Sequence, residues 1–125
     1  MLSLGTFQKY CLSKKGVTAC FPFDDETLVF KVGSKMFALT NINKSILEIN
    51  LKCEPFMSQD LRRDFAAIIP GYHMNKKHWN TIILDGSISD DKILFLVDLS
   101  FELVYSGLKK SEKEKIQEAK QLIIV

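Results

Sequence analysis

Hydrophobic positions change period several times along this chain, and each change predicts an element. Across residues 3–15, Leu4, Phe7, Cys11 and Leu12 recur at helical spacing, and Lys14, Lys15 and Gly16 follow as a C-terminal signal. Val17–Phe21 is a short β-prone run that Pro22 ends. Thr27–Val32 and Lys35–Thr40 are two β-rich runs separated only by Gly33-Ser34. That spacing predicts a tight hairpin, with glycine supplying the positive φ. The expected register sets Phe30 against Phe37 and Leu28 against Leu39 on one face. Val29, Lys31, Met36 and Ala38 are expected on the other.

Ile46–Lys52 alternates, with Leu47, Ile49 and Leu51 on one side and Glu48, Asn50 and Lys52 on the other. This is the pattern of a half-buried strand in an antiparallel sheet, and Pro55 is expected to end it. Ser58 then stands as a cap for a helix over Gln59–Ala67, with Leu61, Phe65 and Ile68/Ile69 as its apolar stripe. Pro70-Gly71 breaks the pattern. Tyr72–Lys77 reads as a loop or irregular strand, Trp79–Leu84 as a strand, and Asp85-Gly86 as its turn. Ser89 caps the longest predicted helix, with Asp90 and Asp91 in the first turn where the helix dipole favours them. Ile93, Leu96, Val97, Ser100 and Val104 form its inward stripe, and Gly107 closes it. Lys109–Gln121 is charged and helix-prone, which fits either a docked helix or a frayed tail.

Consecutive strands joined by short turns, with helices between them, predict an α+β fold. The expectation is a mainly antiparallel sheet of about five strands with three helices packed on it. With 125 residues, the chain is long enough for one domain with its own core. Residues 1–108 are expected to form that domain, and 109–125 a charged C-terminal tail or extra helix.

Charge adds polarity to this picture. The net charge is +2, yet residues 1–108 hold 12 Lys/Arg against 12 Asp/Glu. The excess comes from the last 17 residues, with five lysines and three glutamates. Within the body, residues 31–77 carry eight basic and four acidic groups, and residues 78–108 one and five. Such an asymmetry steers partners. The three cysteines, Cys11, Cys20 and Cys53, show no metal-type spacing and read as reduced thiols. Met1–Gln8 lacks the basic start and apolar run of a signal peptide. No apolar stretch nears the roughly 20 residues that span a bilayer. A cytoplasmic monomer with no membrane contact is expected.

Several motifs together carry a family resemblance. They are Gly16-Val17-Thr18, Phe21-Pro22-Phe23, the hairpin LVFKVGSKMFAL from Leu28, and Asn50-Leu51-Lys52-Cys53-Glu54-Pro55. The long block PGYHMNKKHWNTIIL from Pro70 and Ser100-Phe101-Glu102-Leu103-Val104 complete the set. In this order they resemble the MmcQ/YjbR family over about residues 7–109. The resemblance implies a frataxin-like α+β sandwich and a DNA-binding role on a "double wing" surface. Asp24 stands where the family commonly has glycine, Ser34 where a second turn glycine is common, and Phe101 where tyrosine is usual. The last change removes a hydroxyl from any site that would need one there.

Candidate chemistry concentrates in Lys31, Lys35 and Lys52 with the segment Tyr72, His73, Lys76, Lys77 and Trp79. Lysines and aromatics on an open sheet face suit phosphate backbones and stacked bases, and a basic hairpin could lie as a wing in a groove. The plainer reading is a solvated lysine face with Tyr72 and Trp79 as core anchors. DNA is the partner expected first, through weak and salt-sensitive contacts. An anion or small metabolite held by Lys31, Lys52, His73 and Trp79 is the alternative, and a protein-interaction surface the third. His73 and His78 are five apart with no carboxylate or thiol at ligand spacing, so no metal is expected. Frataxin-like iron handling has no counterpart in a first helix that carries Lys9, Lys14 and Lys15 and no acid. Cys53 with His73 or His78 is the only nucleophile–base pairing to consider. No GxSxG, P-loop or GxGxxG motif occurs, so neither an enzyme nor a cofactor is expected.

Overall fold

The computed structural model describes residues 1–71 and 75–124. The elements run α1 (Leu4–Leu12), β1 (Val17–Cys20), β2 (Thr27–Val32), β3 (Lys35–Asn41), β4 (Glu48–Lys52) and α2 (Pro55–Asp64). They continue with β5 (Ile68–Pro70), β6 (Trp79–Ile83), α3 (Asp90–Ser106) and α4 (Lys110–Ile124). The class is α+β as expected, with six strands rather than about five and four helices rather than three.

Both additions have local causes. Ile68 and Ile69 are expected to continue the apolar stripe of the second helix. Instead, Phe65 is already extended (φ −127°, ψ 113°), and the next residues pair with β6 in the register Ile68↔Ile82, Ile69↔Thr81, Pro70↔Asn80. A three-residue edge strand satisfies its backbone this way, and Pro70 blunts it. The fourth helix is the charged tail, which docks rather than frays. Its Ile116 is buried, and an added Cβ on Gly16 (φ +72°) would lie 2.8 Å from the Ile116 side chain. A missing side chain therefore makes room for the helix.

Helix starts follow their sequence signals with one correction. Ser3 Oγ accepts the Thr6 N–H at 3.1 Å, and Ser89 Oγ accepts the Lys92 N–H at 3.2 Å. For α2 the expected cap, Ser58, is buried inside the helix. Glu54 caps it, its carboxylate accepting Phe56 N–H (2.9 Å) and Met57 N–H (3.0 Å), with Pro55 opening the first turn.

The sheet is antiparallel throughout, in the order β1-β2-β3-β4-β6-β5. Gly33 forms the tight hairpin turn at φ +58°. The hairpin register differs from the expected one. Phe30 faces Ala38, Val29 faces Leu39 and Leu28 faces Thr40, because an irregularity between Phe30 and Lys31 leaves Phe37 as an extra residue. Phe37 and Ala38 therefore both turn to the core, and Leu39 turns away from it.

One apolar cluster unites the helices with a single face of the sheet. Phe7 and Cys11 of α1, Leu61 of α2, Leu96, Val97, Phe101 and Val104 of α3, and Ile116 of α4 meet Phe30, Phe37, Ile49 and Ile82 there. Phe7 meets Phe30 edge-on at 5.5 Å between ring centroids, and Phe37 meets Phe101 likewise at 5.4 Å. Phe101 is 3% exposed, so the position accommodates a ring without a hydroxyl. No helix among the described residues is long and apolar enough to cross a membrane.

Candidate nucleic-acid interface

The face turned away from the helices carries the candidate chemistry. Side chains alternate along a strand. Phe30 and Val32 point into the core, so Lys31 points out, and Leu51 points in, so Lys52 points out. The register sets Thr18 beside Lys31 and Lys31 beside Met36, then Lys52 beside Trp79. The next row reads Cys20, Val29, Leu39, Asn50, Thr81 and Ile69.

Between Met36 and Lys52 the ladder of β3 and β4 stops at Ala38↔Leu51. Ser100 of α3 fills the gap. Its hydroxyl donates to the Phe37 carbonyl at 2.6 Å and accepts the Lys52 N–H at 2.9 Å. A helix side chain thus supplies the missing rung at the end of β4.

Trp79 closes the middle of this face. It packs with Val29 and Leu39, flanked by Cys20 and Met36, and is 7% exposed. Its ring has no free face for a base to stack on, so its part is that of an anchor. Gly71 passes close beneath it. An added Cβ there would sit 2.9 Å from Trp79 Cβ, and the Gly71 N–H donates to the Trp79 carbonyl at 2.8 Å.

Lys76 and Lys77 lie exposed in the turn that enters β6. Asn75 organises this turn. Its side-chain oxygen accepts the Lys77 N–H at 3.0 Å, and its carbonyl accepts His78 N–H (3.2 Å) and Trp79 N–H (3.0 Å). The Cys53 N–H donates to the His78 carbonyl at 2.7 Å, tying the turn to the end of β4 beside Lys52. Arg62, which no pattern in the sequence singles out, reaches this turn from α2. Its guanidinium donates to Asn80 Oδ1 at 2.7 Å, to the Trp79 carbonyl at 3.2 Å and to the Lys76 carbonyl. No sequence signal separates it from neighbouring Arg63, which spends its charge on Asp60 and Asp64.

The remaining expected residues divide. Tyr72 and His73 lie outside the described residues. Lys35 pairs in register with the core-facing Val32, and its ammonium donates to the Gly107 carbonyl at 3.2 Å at the end of α3. It therefore belongs to the helix-bearing side. The hairpin tip is not a free wing either. Glu112 of α4 accepts the Ser34 N–H at 3.0 Å, and Leu108 lies against Gly33.

Among the described residues, Lys31, Lys52, Lys76 and Lys77 enter no ion pair. Glu48, the one acid the strands carry, points outward but pairs with Lys44. Burial pushes the Cys11 thiol up to about 12 and raises that of Cys53, so both stay protonated at neutral pH. The described residues hold no group of three or more His, Cys, Asp or Glu placed to share a metal ion.

Comparison with known proteins places this geometry in a group of relatives. The family model described as YjbR matches residues 12–103. The uncharacterised protein YbdF of Escherichia coli O157:H7 is 36% identical over 112 residues, covering 90% of this chain and 92% of the relative. The uncharacterised protein YjbR of Escherichia coli K12 is 30% identical over 115 residues, covering 92% and 97%. A crystal structure of a Deinococcus radiodurans protein with the DUF419 domain superposes with a TM-score of 0.88 at 38% identity, covering 94% of this chain and 89% of that one.

Proposed function

The chain belongs to the YjbR family, and on that footing we propose that it binds DNA non-enzymatically through phosphate contacts on the uncovered sheet face. The observation that carries the reading is the set Lys31, Lys52, Lys76 and Lys77. All four are without carboxylate partners among the described residues, while the only acid on the strands of that face is neutralised by Lys44. Lys31 and Lys52 stand on the face itself, and Lys76 and Lys77 on the turn fastened beside Lys52. Phosphate contacts of this kind carry little sequence information.

Affinity then rests on counterion release. Four contacts give a slope of log K against log salt of about −3.6, so binding drops roughly a hundredfold between 50 and 200 mM salt. Fluorescence titration of a short duplex at those two concentrations tests this. Lys31→Ala and Lys52→Ala should each lower the slope by about 0.9. Absence of binding at low salt, or a slope that ignores both substitutions, overturns the reading. A small-metabolite pocket on the same residues has less support, because Trp79 and Met36 fill the middle of the face.

A further inference from the structure

We propose that Arg62 is the positioning residue of this surface: from α2 it sets the turn that carries Lys76 and Lys77 beside Lys52. The inference rests on the reading of the face as a phosphate-binding surface. Arg62 lies on the helix-bearing side, and its neighbours there are Asn80 and Ser58, which share a hydrogen bond at 3.3 Å. A guanidinium presents several N–H donors in a rigid plane. Here the Nε–H and one terminal nitrogen go to Asn80 Oδ1, the Lys76 carbonyl and the Trp79 carbonyl. The two carbonyls bracket the turn, one just inside it and one where it becomes β6. All three acceptors are uncharged, so Arg62 spends its donors on shape rather than on neutralisation.

The turn is closed locally by Asn75, but its own bonds do not fix where it stands on the molecule. Among the described residues that is done by Arg62, by the Cys53 N–H to the His78 carbonyl and by the Gly71 N–H to the Trp79 carbonyl. The Cys53 bond holds the sheet end of the turn, and Arg62 holds the end that bears Lys76. Without the fork, Lys76 and Lys77 keep their charge but lose their fixed spacing from Lys52. Lysine at this position keeps the charge and loses the planar fork, so charge and geometry separate cleanly.

The test uses the full chain with Arg62→Lys and Arg62→Met, read by amide hydrogen exchange and by duplex titration against salt. Exchange at the Lys77, His78 and Trp79 amides should rise about tenfold in both variants, while the β2 and β3 amides stay protected and report an intact fold. The salt slope should fall by about as much as in a Lys76→Ala/Lys77→Ala double variant, and adding Arg62→Met to that variant should change nothing further. If exchange is unchanged, the positioning role is wrong. If Arg62→Lys binds like the parent while Arg62→Met loses one unit of slope additively, Arg62 touches phosphate itself and the proposal is overturned. If the parent protein binds no duplex at all, the functional reading fails, and the exchange data still decide whether Arg62 holds the turn.

Discussion

The two faces of one sheet reach burial by different routes. On the helix-bearing face, Phe30, Phe37, Ile49 and Ile82 are covered by a second layer of four helices. On the opposite face, Val29, Leu39 and Trp79 are covered by their own neighbours in the sheet, with Cys20 and Met36 at the margin. Val29 is as fully shielded as Phe30. What differs is the volume each residue commits and the number of elements that depend on it. A thin self-covered cluster can be stiff and still leave polar residues at its border, here Lys31, Lys52 and Asn50, turned towards solvent. The face without a helical layer is therefore the one that can carry a surface function without opening the core.

The sharpest way to break this contrast uses two residues adjacent in sequence, one on each face. Phe30→Ala should cost about 3–5 kcal/mol, because it empties a site packed against Phe7 and the strands. Val29→Ala removes two buried methyl carbons and should cost about 1.6 kcal/mol by transfer alone. Urea titration followed by Trp79 fluorescence gives both values, and equal costs would show that the thin cluster is as demanding as the main core.

The next effect lies where the two faces are joined. Ser100→Ala leaves the Phe37 carbonyl and the Lys52 N–H without the hydroxyl that bridges them. Stability should fall by about 1–3 kcal/mol, and amide exchange at Lys52 should quicken while that at Leu39 does not. An unchanged Lys52 exchange rate would mean the strands close the gap on their own.

The smallest effect is the acid limb of stability. Two backbone N–H groups hold the Glu54 carboxyl below its usual value of 4.5. A depressed carboxyl contributes stability that is complete above its unfolded pKa and lost as pH falls through the folded one. The contribution of Glu54 should therefore fade as pH drops below about 4.5, and Glu54→Gln should flatten that part of the curve in thermal melts taken from pH 6 to pH 3. Loss of α2 order ahead of the main sheet in those melts would place the weaker region on the helix-bearing side instead.

Much of this arrangement was legible from local patterns. The Gly33-Ser34 hairpin, the alternating strand ending at Lys52 and the Ser89 cap depend on residues a few positions apart, and short-range geometry decides them. The expected phosphate site was legible only in part. Lys31 and Lys52 could be placed on the outer side because strand alternation is strict. Lys35 keeps the pairing with Val32 that a two-residue turn dictates, so it shares the core-facing side of Val32, where the end of α3 takes its ammonium, and α4 covers the tip that looked free. The exposure of Trp79 was not readable either, since an aromatic on an outer face is closed or open according to its cross-strand neighbours.

The chain alone determined that this would be an α+β fold with an antiparallel hairpin-built sheet, and which lysines leave the strands outward. These follow from periodicity, turn chemistry and caps, all local. Only the tertiary structure decided that Ser100 completes a rung between β3 and β4, that Arg62 and not Arg63 pins the turn before β6, and that Ile116 seats α4 over Gly16. Each of these joins residues at least 14 positions apart, and no local preference of either partner encodes the meeting. It exists because the packed core brings them within reach.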